Sequence, residues 1–154
     1  MPSLGISSGI TATNKFRRLS SISASEWGSS VDGWTANNAN ISQNSGQLIV
    51  EATSSAGYAQ KLINIDAGAT YVANVVRHYV STPDYNTFAS FGAFDSITGA
   101  TLGSVLSIST DATSNLRFSF VAENVARVAL RLITVTNGKY TEWDDFSLTE
   151  EGVY

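Results

Sequence analysis

The sequence contains no cysteine, so no disulfide staples its fold and no thiolate is available as a nucleophile or metal ligand. That absence fits a reducing compartment. Histidine occurs once, as His78. A Ser-His-Asp arrangement would have to pass through that residue, which falls within a strand-like segment and has no nucleophile elbow beside it. Zinc needs three or four His, Cys or carboxylate ligands, and the supply is too thin. No glycine-rich loop has the spacing that cradles phosphate. Charge is also scarce, at 14% of the 154 residues, where about a quarter is usual. The net charge is −4 and no basic stripe runs through the chain, which argues against a nucleic-acid partner. No apolar stretch approaches the roughly 18–20 residues of a membrane span. The N-terminus shows no basic segment followed by an apolar run, so no secretory signal is expected.

What remains is a chain that is 43% hydrophobic, with a polar complement built from Ser, Thr, Asn and Gly. Residues 1–25 are Ser/Thr-rich and read as an extended N-terminal arm that carries at most one strand, with Lys15, Arg17 and Arg18 as a small basic cluster able to dock on an acidic neighbour. Residues 26–154 form the predicted domain. Short apolar alternations between turn signals run through it, the pattern of an antiparallel sandwich or barrel. Leu48, Val50 and Ala52 share one face of 47–53, and Ala59, Ile63 and Ile65 share one face of 58–65. Residues 70–80, 87–95 and 100–108 are further strands, with a loop at 81–86 around Pro83. Leu116, Phe118 and Phe120 point inward from 115–121, and Val128, Leu130 and Leu132 from 126–134. Val121, Val125, Val128 and Leu132 also fit a helical stripe, but the alternation from Ala126 favours a strand. Asn137-Gly138 signals a hairpin into a closing strand, 140–148.

Four pieces of this pattern, Asp32-Gly33-Trp34-Thr35, Gly46-Gln47-Leu48-Ile49-Val50, the run from Ile63 to Tyr71, and Trp143-Asp144-Asp145-Phe146-Ser147-Leu148, resemble in order and spacing the jelly-roll carbohydrate-binding modules of the family 4/9/22 type. The resemblance spans residues 32–148 and implies an all-β, antiparallel jelly-roll sandwich. Modules of that shape occur in secreted glycosidases, and similar domains occur in bacteriophage virion proteins. The Asp matching Asp144 often helps hold a structural calcium in such modules, which makes Asp144 the candidate calcium ligand. Calcium needs six to eight oxygens, and a carboxylate bonded to backbone N–H groups is the equal alternative.

Extrapolating the alternation backward from the inward Phe146 and Leu148 turns Asp144 inward and puts Trp143 outward, with Asp145 and Ser147. An exposed Trp on a sheet face is a stacking platform for a sugar or an anchor in a protein interface. Arg127 or Arg131 of the preceding strand would stack on it, and Tyr58, Tyr79 and Tyr85 would extend the surface. Trp34 reads as core, and Trp27 is undecided. Asp84, Asp95, Glu142, Asp144 and Asp145 would supply the two carboxylates of a glycosidase, but nothing pairs them. The expectation is therefore a non-enzymatic virion structural protein, a capsid cement or decoration protein or a tail or baseplate component. It would act through other virion proteins or its own copies, with no cofactor beyond a structural calcium. The missing signal, the lack of an attached catalytic domain and the Met-Pro-Ser-Leu-Gly-Ile start favour this over the alternative, a secreted module that recognises a glycan through exposed aromatics.

Overall fold

Strict alternation of apolar and polar residues makes one face of a pleated strand bury and the other face water. The clearest case in the computed structural model, which describes residues 17–78, 89–108 and 113–153, is β9 (Ser114–Val121), where Leu116, Phe118 and Phe120 are buried and Asn115, Arg117, Ser119 and Val121 are exposed. Two antiparallel sheets account for the strands of these residues. The first contains β1 (Arg17–Ser25), β3 (Ala39–Asn44), β4 (Gln47–Ala52), β6 (Thr70–Arg77), β9 and β11 (Tyr140–Val153), in the order β3-β4-β11-β6-β9 with β1 also on β11. The second contains β2 (Thr35–Asn37), β5 (Gly57–Asn64), β7 (Ala89–Asp95), β8 (Thr101–Ile108) and β10 (Arg127–Thr134), in the order β2-β5-β10-β7-β8. The fold is a jelly-roll β-sandwich, as expected. Of the residues that also fitted a helix, Val121 ends β9, Val125 lies between the strands, and Val128 and Leu132 are on β10.

The N-terminal stretch supplies β1, paired with β11 from Arg17↔Val153 to Ser25↔Phe146. Residues 17–25 are therefore held by the chain's own sheet. Ser45 and Gly46, both at positive φ (52° and 79°), make the two-residue turn between β3 and β4, the backbone that matches the twist of paired strands.

The core between the sheets is aromatic. Phe146 meets Trp34 edge-on at 4.9 Å and Phe91 at 6.3 Å, and Phe91 meets Phe118 at 5.1 Å. Leu48, Val50, Val128, Leu130, Leu132 and Leu148 fill the space around them, each fully buried. Trp27, left open by the sequence, is buried at 2% exposure and packs on Trp34.

Two expectations are corrected here. Asn137-Gly138 does not close a hairpin, because β10 and β11 lie in different sheets. Gly138 is at φ 79°, while Asn137 is not among the residues at positive φ. The Lys139 N–H donates to the Thr136 carbonyl, and the Gly138 N–H to that of Ala52. Positive φ at the third position alone belongs to a type II turn, and here it carries the chain from one sheet to the other.

The second correction concerns Trp143. It is fully buried, and Phe146 and Leu148 are buried with it. Residues three apart cannot share a face of an unbroken strand. Pairing of β11 with β6 shifts register between Asp144 and Ser147, and Asp145 sits at φ 49°. This β-bulge adds a residue and reverses the phase of the alternation. Trp143 thus points inward, and the Asp144 carboxylate turns back to accept the Asp145 N–H at 2.8 Å.

Candidate functional site

The outer face of the five-stranded sheet gathers more of the expected site residues than any other described surface. On β10, Val128, Leu130, Leu132 and Thr134 face the core, so Arg127, Ala129, Arg131 and Ile133 face outward. Register sets their neighbours. Arg131 lies opposite Gln60 on β5 and Gly92 on β7, and Arg127 lies opposite Asn64. Ala129 sits between Leu62 and Phe94, and Ile133 between Tyr58 and Ser90.

Arg131 is the centre of this face. Its guanidinium carbon lies 4.6 Å from the Tyr58 ring centroid and 4.6 Å from that of Phe94. Both contacts are within cation–π range. Its Nε donates to Gln60 Oε1 at 3.1 Å. Arg127 repeats the device one tier away, donating from Nε to Asn64 Oδ1 at 3.2 Å. Gly92 makes room for the Phe94 ring, since a Cβ there would stand 3.0 Å from Phe94 Cε2 and 3.0 Å from Val105 Cγ2. A guanidinium has five N–H donors, and Nε accounts for one. The remaining donors of Arg131 sit on the two terminal nitrogens, between two half-buried rings. Strands position all these groups, so little is left to be ordered by a ligand.

The expected stack of Arg127 or Arg131 on Trp143 is not formed. Trp143 belongs to the other sheet and is buried, and its place beside Arg131 is taken by Tyr58 and Phe94. Tyr85 and Tyr79, together with the loop holding Asp84, lie outside the described residues, as does Lys15. Arg17 and Arg18 open β1, and their side chains are likewise outside the description. Phe94, Gln60 and Asn64 escaped the sequence reading. The signal for Phe94 was Gly92, since a glycine inside a strand marks close approach of another group.

Among the described residues, no group of three or more His, Cys, Asp or Glu is placed to hold a metal. Asp144 Oδ1 accepts the Asp145 N–H, the backbone bond expected as the alternative to calcium. His78 Nδ1, just past the end of β6, lies 3.8 Å from Glu142 Oε2 on β11. Asp95, at the end of β7, uses Oδ1 to accept the Ile97 and Thr98 N–H groups. The bond from Ile97 holds its carboxyl below the usual range. A depression of about 310 Å³ opens on the other sheet between Ile41, Ile49 and Tyr140, and one of about 400 Å³ beside Trp27 and Asp32.

No protein-family model matches the sequence, and no curated protein matches it. Solved structures do share its fold. The CBM22-1 xylan-binding domain from Paenibacillus barcinonensis Xyn10C is similar at TM-score 0.61 and 10% identity, covering 85% of this chain and 94% of that one. The C-terminal family 22 carbohydrate-binding module of Clostridium thermocellum Xyn10B is similar at TM-score 0.62 and 18% identity, covering 83% and 92%. A structure described as "CBM4 structure and function" reaches TM-score 0.59 at 10% identity, covering 76% and 86%. At these identities the likeness is one of fold.

Proposed function

We propose that this chain is a non-catalytic carbohydrate-binding module that holds a glycan on the outer face of its five-stranded sheet. The observation that carries the reading is the Tyr58–Arg131–Phe94 stack, with Gln60 fixing the arginine from the side. A sugar ring offers an apolar C–H surface and a rim of hydroxyls. Half-buried rings suit the first, and fixed N–H and amide groups suit the second. The fold shared with xylan-binding modules supports the same reading.

Trp143, the expected anchor for a sugar or a protein partner alike, is buried, so the glycan reading rests on the Arg131 face and on the shared fold. The place of action follows the partner: a module for polymeric glycan works where such polymers are, outside a cell or on a particle that meets one.

The test is calorimetric titration and affinity electrophoresis of the domain against xylan, β-glucan, mannan and pectic polymers. Saturable binding to at least one is expected, with a tenfold or greater loss in Tyr58→Ala and Phe94→Ala, both still folded by circular dichroism. Failure of the folded wild-type domain to bind any of these polymers refutes the proposal.

A further inference from the structure

The strands of the five-stranded sheet carry four charged residues among those described, Lys61, Asp95, Arg127 and Arg131. Two are engaged locally. Lys61 Nζ lies 3.7 Å from Asp32, and the Asp95 carboxylate is spent on its own turn. The other two are the outward arginines. Each is held through Nε by a neutral side-chain amide, Asn64 or Gln60, with no carboxylate paired to either among the described residues. A chain of net charge −4 thus places two arginines without a paired carboxylate among the described residues on one face. Arginines that serve only to cover a sheet gain by pairing with acids, and this chain has 13 of them. A free planar fork of N–H donors is the group that takes a carboxylate in bidentate fashion. Clamping by Tyr58 and Phe94 fixes the plane of the Arg131 fork. Arg127 and Arg131, four residues apart on one strand, stand about 13 Å from each other at ~3.3 Å per residue.

From this we infer that the glycan held on this face is acidic, carrying carboxylate groups of uronic acid residues that pair with Arg131 and Arg127. The inference rests on the glycan-binding reading above. It adds a charge requirement that a module for neutral polysaccharide lacks.

Carboxyl reduction supplies the test, because it converts a uronate to a hydroxymethyl group and leaves the rest of the polymer in place. Glucuronoxylan, polygalacturonate and alginate are each titrated beside their carboxyl-reduced forms, at low and at 0.5 M NaCl. The expected result is at least a tenfold preference for the carboxylate form of one of these polymers, or about 1.4 kcal/mol. The preference falls at high salt, as screening of exposed charge requires. Arg131→Gln and Arg131→Lys each remove most of it, the lysine because it keeps charge but not the fork. Arg127→Gln reduces it. Arg117→Gln, the same charge change on the opposite sheet, leaves it unchanged. Equal affinity for native and reduced polymers overturns the inference and leaves glycan binding standing, as does binding confined to neutral polymers. No binding to any polymer, native or reduced, overturns both.

Discussion

A hydrogen-bonded chain inside the sandwich offers a prediction whose sign the geometry determines. Trp143 Nε1 donates to Thr141 Oγ1 at 2.7 Å, the Thr134 and Thr141 hydroxyls lie 2.7 Å apart, and Thr134 Oγ1 donates to the Val50 carbonyl at 2.8 Å. All of these side chains are buried. The single Thr134 proton is on Val50, so Thr141 must be the donor between the two hydroxyls. The chain therefore runs one way, from Trp143 through Thr141 and Thr134 to Val50, and ties the two sheets together. Thr141→Val preserves shape but leaves the indole N–H buried and without an acceptor, at a cost of about 1–3 kcal/mol. In a Trp143→Phe background no such donor remains. The same Thr141→Val change then costs only the loss of its own bond to Thr134, roughly 1 kcal/mol. The double-mutant cycle should show a coupling of about 1–2 kcal/mol, with the double variant more stable than the sum of the singles implies. Urea unfolding followed by far-ultraviolet circular dichroism measures it, since fluorescence would be altered by the loss of Trp143. Additivity within roughly 0.5 kcal/mol would refute the chain as drawn. Trp143→Ala itself should cost about 3–5 kcal/mol, the scale of a deleted core aromatic. A stability change near zero there would return Trp143 to the surface.

Three further outcomes are expected. Gly57→Ala places a Cβ against the Asn38 carbonyl and within 2.9 Å of Ala52 Cα. It should lower stability by about 3 kcal/mol or prevent folding, whereas Gly99→Ala, in open space at φ 75°, costs only roughly 1–2 kcal/mol; equal urea midpoints would contradict this. Gly92→Ala should push the Phe94 ring off Arg131, weakening glycan affinity several-fold at a small cost in melting temperature, and unchanged affinity would show that the ring's seat does not matter. Because the folded Asp95 carboxyl is held below its ordinary value, its stabilising effect is present above the unfolded value of about 3.9 and is lost as pH falls through the folded one. The difference in melting temperature between wild type and Asp95→Asn should be constant above about pH 5 and shrink toward zero near pH 2; a difference that persists at pH 2 would rule out the charge as its cause.

The sequence by itself determined β4 to β11 and most of the core, while β2 and β3 were not among the strands it signalled. Leu48 and Val50, the Leu116–Phe120 series and the Val128–Leu132 series could be read because side-chain direction along an unbroken strand has a period of two. The resemblance of short motifs was enough for the jelly roll for the same reason, since it samples positions that alternation already constrains. Tertiary structure alone decided which sheet each strand joins and where the alternation breaks. Asn137-Gly138 is compatible with a hairpin and with a crossing between sheets, and only the pairing of β11 with β4 and β6 selects the crossing. The bulge at Asp145 left no mark that periodicity can detect, yet it moved Trp143 from the surface to the core and Asp144 away from it. Phe94, Gln60 and Asn64 are 30 or more residues from one of their partners, or from Arg131, in the chain. Their meeting on one face depends on β5, β10 and β7 lying side by side, a fact of long-range register that local pattern does not contain.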